Sequence, residues 1–186
     1  ACVRLIDYDH PLHNNFVVAN QWSIEEHSVR RADIIVFING LPLVVMELKS
    51  PSRTETNVSE AYAQLRNYMQ EIPSLFVYNA FCVMSDLVTS KAGTITSGED
   101  RFMEWKTVDG QTEDNHFANF HVFFCGMFEQ ERLIEILRDF ICFSKEEKQS
   151  AKILAGYHQF YAVRKAITSV KEATTTEEGL MERACG

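Results

Sequence analysis

Arg31-Ala-Asp-Ile-Ile-Val-Phe-Ile-Asn-Gly-Leu-Pro-Leu-Val-Val-Met-Glu-Leu-Lys-Ser50 is the stretch whose reading decides the fold. Two apolar, β-branched runs, residues 34–38 and 43–48, flank Asn39-Gly40. Asn and Gly tolerate the positive φ that a tight turn needs, so the pattern predicts a β-hairpin. Charges interrupt the apolar runs. Asp33 heads the first strand, and Glu47 and Lys49 close the second. Taking a charge out of water is costly unless it is paired or binds a cation, so these three residues need an explanation beyond packing.

Glu47 and Lys49 are two apart on a strand and share a face. Asp33 joins them only in one register. A two-residue turn carried straight through the ladder sets Asp33 opposite Met46, away from Glu47. A three-residue connection with Gly40 left-handed, or a bulge with the same effect, sets Asp33 opposite Glu47. The second register is expected. Two carboxylates and an ammonium then converge. Carboxylate oxygens suit a hard cation such as Mg²⁺, which polarises a phosphoryl oxygen and acidifies a bound water. The Lys49 ammonium can orient that water or stabilise charge on phosphate. Such a set suits phosphodiester hydrolysis. Spacing alone leaves a second reading open, in which Glu47 and Lys49 are a solvated strand end and Asp33 a turn residue.

Asp33…Glu47-Leu-Lys49 resembles the PD-(D/E)xK nuclease motif. Longer blocks are similar to one family, the R (restriction) subunits of type I restriction–modification enzymes. These are Arg31-Ala-Asp-Ile34, Asn39-Gly-Leu-Pro-Leu-Val-Val45, Met46-Glu-Leu-Lys-Ser-Pro51, Gln64-Leu-Arg-Asn-Tyr68, Ile72-Pro-Ser-Leu-Phe76, Asn79-Ala-Phe-Cys-Val-Met-Ser-Asp86 and Tyr157-His-Gln-Phe-Tyr-Ala-Val163. The likeness runs over roughly residues 3–172. It implies an α/β, restriction-endonuclease-like mixed β-sheet flanked by helices. It also implies Mg²⁺-dependent endonucleolytic cleavage of double-stranded DNA, with Asp33 and Glu47 as metal ligands and Lys49 assisting the attacking water. Gln64 and Tyr68 match the Gln-x-x-x-Tyr element of RecB-like and type I nucleases, which implies that they line the cleft in a supporting role. Gln cannot titrate, and Tyr has a reference pKa of about 10.

Tyr157-His-Gln159 resembles the Q-tip of superfamily 2 motors, in which the Gln159 amide would contact adenine. The chain has no Gly-x-x-x-x-Gly-Lys-Ser/Thr phosphate loop, so ATP is expected only in the full-length subunit. The resemblance further implies methylation and specificity subunits as partners. In that family a helical segment precedes the region where this chain begins, so the chain is expected to be a fragment.

At 186 residues with 46% apolar content, one domain with a sizeable core is expected. The net charge of −8 counts against a tight, autonomous DNA binder, though not against a local cleavage site within an assembly. Five scattered cysteines without CxxC spacing suggest free thiols and a cytoplasmic setting. No apolar run approaches a membrane span, and no signal peptide is visible.

Along the chain, residues 3–8 and 16–22 read as strands. Asp9, His10 and His13 sit in a turn where a metal reading is weighed against ordinary loop polarity. Residues 25–32 read as a polar link; Arg30 and Arg31 either face a phosphate or pair with Glu25 and Glu26. A helix runs from Asn57, capped in a box with Glu60, to Ile72. Residues 75–78, 80–85 and 92–96 read as strands. Phe102, Trp105 and Trp22 anchor loops rather than stack on DNA. Residues 129–143 form an amphipathic helix. Ser144 and Glu147 then open a long helix to about residue 173, with Gly156 inside it. The division is residues 1–143 as nuclease domain, 144–173 as a helix leading toward a motor, and 174–186 as a flexible tail. Two alternatives stay open. One is a RecB-like repair nuclease, which would lack the block at 157–163. The other is a non-catalytic docking module on a degenerate nuclease fold, which divalent cations would not protect from heat.

Overall fold

The computed structural model describes residues 4–50, 58–113, 120–146 and 149–184. Strands β1 (Phe16–Glu25), β2 (Val29–Ile38) and β3 (Leu41–Leu48) form an antiparallel meander. Strand β4 (Phe81–Ser85) then pairs with β3 in parallel, and β5 (Ser90–Gly93) pairs with β4 antiparallel. The order β1-β2-β3-β4-β5 makes β3 the central strand of a mixed sheet. The parallel step requires a crossover, and helix α1 (Val58–Glu71) lies within it.

Period-two alternation sorts the sheet residues onto two cores. Val36, Val44, Met46 and Val83 meet Phe123, Met127, Ile134 and Phe160 on one face. Those partners come from α2 (Phe120–Met127), α3 (Gln130–Asp139) and the first turn of α4 (Tyr157–Ala184). Ile35, Val45, Cys82 and Met84 meet Ala61, Leu65 and Tyr68 of α1 on the other. Burial on both faces explains why β3 and β4 read as continuous apolar runs.

The hairpin turn is the tight one, with Asn39 at φ 51° and Gly40 at φ 83°. Phe37 pairs with Pro42, but Val36 pairs with Val44, so Leu43 is an extra residue in a bulge. Beyond the bulge Ile34 faces Met46, which brings Asp33 level with Glu47. The expected register is therefore reached by a bulge three residues after the turn.

Several local expectations fail for definable reasons. Residues 4–10 form bends, not a strand, because Asn14 takes up the Asp7 N–H and carbonyl. The link at 25–32 is mostly strand, since β1 and β2 run to Glu25 and from Val29. The apolar run at 75–78 falls in and just beyond a 3₁₀ turn, Pro73–Phe76, opened by a proline whose φ is already turn-like. The helix expected at 129–143 is the shorter α3, Gln130–Asp139, and the residues after it turn into β6 (Ile141–Glu146).

With β7 (Gln149–Leu154), β6 forms a separate hairpin where the long helix was expected to begin. Tertiary bonds fix this hairpin. Thr94 and Thr96 hydroxyls donate to the Lys152 carbonyl at 2.6 and 3.0 Å, and the Ala155 N–H donates to the Phe140 carbonyl at 2.9 Å. Helix α4 starts only at Tyr157 and continues to Ala184, through the residues expected to be a loose tail. Gly156 stands just before α4, not inside it. Its N–H donates to Gln159 Oε1 at 2.9 Å, half of a capping box. The Asn57 cap and Glu147 fall outside the described residues.

Phe102 and Trp105 are buried, whereas Trp22 is half exposed against the Phe37 ring. Cys82, Cys125 and Cys142 are free thiols. Among the described residues no helix is long and apolar enough to cross a membrane.

Candidate active site

Glu47 continues the alternation of β3 onto the α1 face, where it is only 4% exposed. Lys49 Nζ donates to Glu47 Oε1 at 2.8 Å. From α1, the Tyr68 hydroxyl lies 3.1 Å from Glu47 Oε2 and 2.9 Å from the Arg31 carbonyl. Asp33 is held from both sides: the Leu48 N–H donates to Oδ2 at 2.9 Å, and Gln21 Nε2 donates to Oδ1 at 2.8 Å. Gln21 takes a positive φ of 52° in mid-strand, an irregularity of β1 beside the site. Nothing in the sequence singles Gln21 out, because a glutamine in a strand gives no sign of a left-handed backbone.

Burial pushes the Glu47 carboxyl above the usual carboxylate range. The Lys49 hydrogen bond opposes that shift, and the negative charge of Asp33 adds to it. Burial also pushes the Tyr68 hydroxyl up to about 12; a hydrogen bond with Gln64 opposes the shift, and the nearby Glu47 charge reinforces it. Tyr68 therefore stays protonated and acts as a donor. Gln64 lies one turn before Tyr68 on the same face of α1.

The fold thus gathers Asp33, Glu47, Lys49, Gln64 and Tyr68 at the end of the central strand. Gln159 is not among them; it caps α4 and lines a separate cavity with Lys152 and His158. Arg30 does not pair with Glu25 or Glu26. It forms a two-pronged pair with Glu71 of α1, with Nη2 at 2.6 Å from Oε1. Glu26 instead accepts from the Ser74 N–H and hydroxyl.

The cluster can receive a hard divalent cation. Its two carboxylates offer oxygen ligands, each retains lone pairs beyond the bonds named, and the enclosed Glu47 carboxylate feels the Asp33 charge with Lys49 as its ion-pair partner. The excess negative charge and the raised Glu47 carboxyl are what a cation would relieve.

A mixed sheet between two helical layers, with this charged cluster set into its central strand, places the protein in the restriction-endonuclease-like α/β class. Residues 2–101 match the family described as Type I restriction enzyme R protein N terminus, and the chain belongs to it. The chain is 37% identical over 182 residues to the type I restriction enzyme HindI endonuclease subunit of Haemophilus influenzae, covering 93% of this chain and 17% of that protein. It is 34% identical over 205 residues to the putative type I restriction enzyme MjaIXP endonuclease subunit of Methanocaldococcus jannaschii, covering 99% of this chain and 19% of that protein. It is 25% identical over 181 residues to the type I restriction enzyme EcoprrI endonuclease subunit of Escherichia coli, covering 95% of this chain and 56% of that protein. The chain therefore spans less than a fifth of the first two relatives.

Proposed function

We propose that this chain is the nuclease module of a type I restriction R subunit and hydrolyses phosphodiesters of double-stranded DNA with Mg²⁺. The observation that carries the reading is Glu47, a carboxylate 4% exposed, bonded to Lys49 and Tyr68 and facing the charge of Asp33. Like charges set beside an enclosed carboxylate are an arrangement that active sites use to tune their groups.

Asp33 and Glu47 would hold the metal. When bound, Mg²⁺ supplies Lewis acidity at a phosphoryl oxygen and a water of lowered pKa. Lys49 contributes a positive charge at the open side of Glu47, where it can orient the attacking water or donate to a phosphate oxygen. Tyr68, oriented by Gln64, fixes the Glu47 carboxylate against the Arg31 carbonyl. The Leu48 N–H bond fixes Asp33. In the full-length subunit, ATP-driven translocation, Gln159 at adenine, and methylation and specificity subunits would complete the activity. The names of the relatives favour this restriction role over a RecB-like repair nuclease. The intact charged cluster favours catalysis over a docking module.

The test is Asp33→Ala and Lys49→Ala in the intact R subunit with its partners. DNA cleavage should fall by about 10²-fold or more. ATP hydrolysis and translocation should persist. Equal loss of all three activities, or unchanged cleavage, rules out a separate nuclease site here.

A further inference from the structure

A second cluster lies in the loop before β1, outside the Glu47 site. His10 and His13 bracket the 3₁₀ turn Pro11–His13. Such a turn eclipses residues three apart, and the two rings stack with centroids 4.9 Å apart and planes at 16°. Both present Nδ1 to one oxygen, Asp7 Oδ2, at 3.7 and 3.5 Å. These separations exceed hydrogen-bond length. They approach the spacing of about 3.3 Å between ligand atoms around a tetrahedral zinc ion. One ligand atom from each of the three residues lies within 4.8 Å of the others.

The loop that makes this arrangement is fixed independently of any ion. Asp7 Oδ1 accepts from the Asp9 and His10 N–H groups at 3.1 and 2.9 Å, which leaves Oδ2 turned to the imidazoles. Those amide bonds hold the Asp7 carboxyl below its usual range, so it is ionised at neutral pH. Asn14, 7% exposed, accepts from the Asp7 N–H and donates to the Asp7 and Pro11 carbonyls, each at 2.8 Å. Asn39 of the hairpin turn donates to Asn14 Oδ1 and to the Leu5 carbonyl. Asp9 is engaged by Arg4 at 2.6 Å and stands apart from the cluster. The ligand triad is thus preorganised by amides from the loop and from the turn.

We propose that Asp7, His10 and His13 bind a borderline divalent cation of the zinc type, separate from the Asp33–Glu47 site. Two imidazoles and one carboxylate suit Zn²⁺, Co²⁺ or Ni²⁺ rather than Mg²⁺. The exposure of both imidazoles leaves a coordination place for water. The ion links Asp7 to His13 and so closes the loop that Asn39 ties to the β2–β3 turn.

Calorimetric titration of the metal-stripped full chain with ZnCl₂, in a Cys125→Ser background, tests this. That background removes the Cys125–His121 pair as a competing site. One equivalent should bind at neutral pH. The equivalent should vanish in His10→Asn/His13→Asn and in Asp7→Asn, and survive in Asp33→Asn/Glu47→Gln. Undiminished binding by the histidine variant, loss in the Asp33/Glu47 variant, or no zinc bound by the parent chain overturns the assignment.

Discussion

A carboxylate as enclosed as Glu47 is a burden to the fold unless something compensates it. Lys49 and Tyr68 do so only in part, because the carboxyl remains raised by burial and by Asp33. A raised folded-state value stabilises the protein where the group is protonated, below its unfolded value, and that contribution is lost as pH rises through the folded value. In chelator, Glu47→Gln should therefore melt above the parent at about pH 8, and the gap should narrow toward about pH 5. Thermal melts at both pH values check this; a variant that melts lower at about pH 8 would show Glu47 to be a net stabiliser. Asp33, Glu47 and Lys49 were legible in the sequence because they are charges set into apolar runs. Gln21 was not, because its contribution depends on a left-handed backbone that residue type does not announce. The Arg30–Glu71 pair was also hidden, since its partners are 41 positions apart.

At the scale of elements, the β2–β3 hairpin sets the site by two devices, a tight turn and a bulge. Asn39-Gly40 signalled the turn. The bulge at Leu43 left no mark, since one more apolar residue in an apolar strand is invisible, yet it decides which face Asp33 meets. Gly40 and Gly126 are demanded for different reasons. Gly40 needs its positive φ, while a Cβ there would meet nothing within 4 Å. Gly126 lets α2 approach the chain: a Cβ would lie 2.4 Å from the Thr107 carbonyl oxygen and 2.5 Å from the Trp105 ring. Gly40→Ala should cost about 1 kcal/mol of backbone strain. Gly126→Ala should cost about 2–3 kcal/mol, because backbone must move. Chemical denaturation of both variants measures the two, and the reverse order would contradict the close approach. Helix α1 was legible from its apolar spacing. The β6–β7 hairpin was not: Ser144 and Glu147 mimic a helix cap, and the bonds from Thr94 and Thr96 that favour strand come from far along the chain.

For the whole molecule, the sheet order puts β3 in the middle, with α1 on one face and α2, α3 and α4 on the other. The central strand is packed on both faces, and the charged cluster sits at its end, where the chain leaves the core. On the proposed function, a net charge of −8 suits a module that cuts DNA held by other parts of a larger protein rather than one that grips it alone. The resemblance reached most of this architecture because its blocks coincide with β2, β3 and α1, which carry the site, and with β4, which pairs with β3. The most direct test is a crystal of this chain soaked in Mn²⁺ and inspected by anomalous scattering. The proposal predicts a peak within about 2.2 Å of carboxylate oxygens from both Asp33 and Glu47, absent in Asp33→Asn. No peak there in well-ordered crystals, with the two carboxylates as they are now, would contradict it.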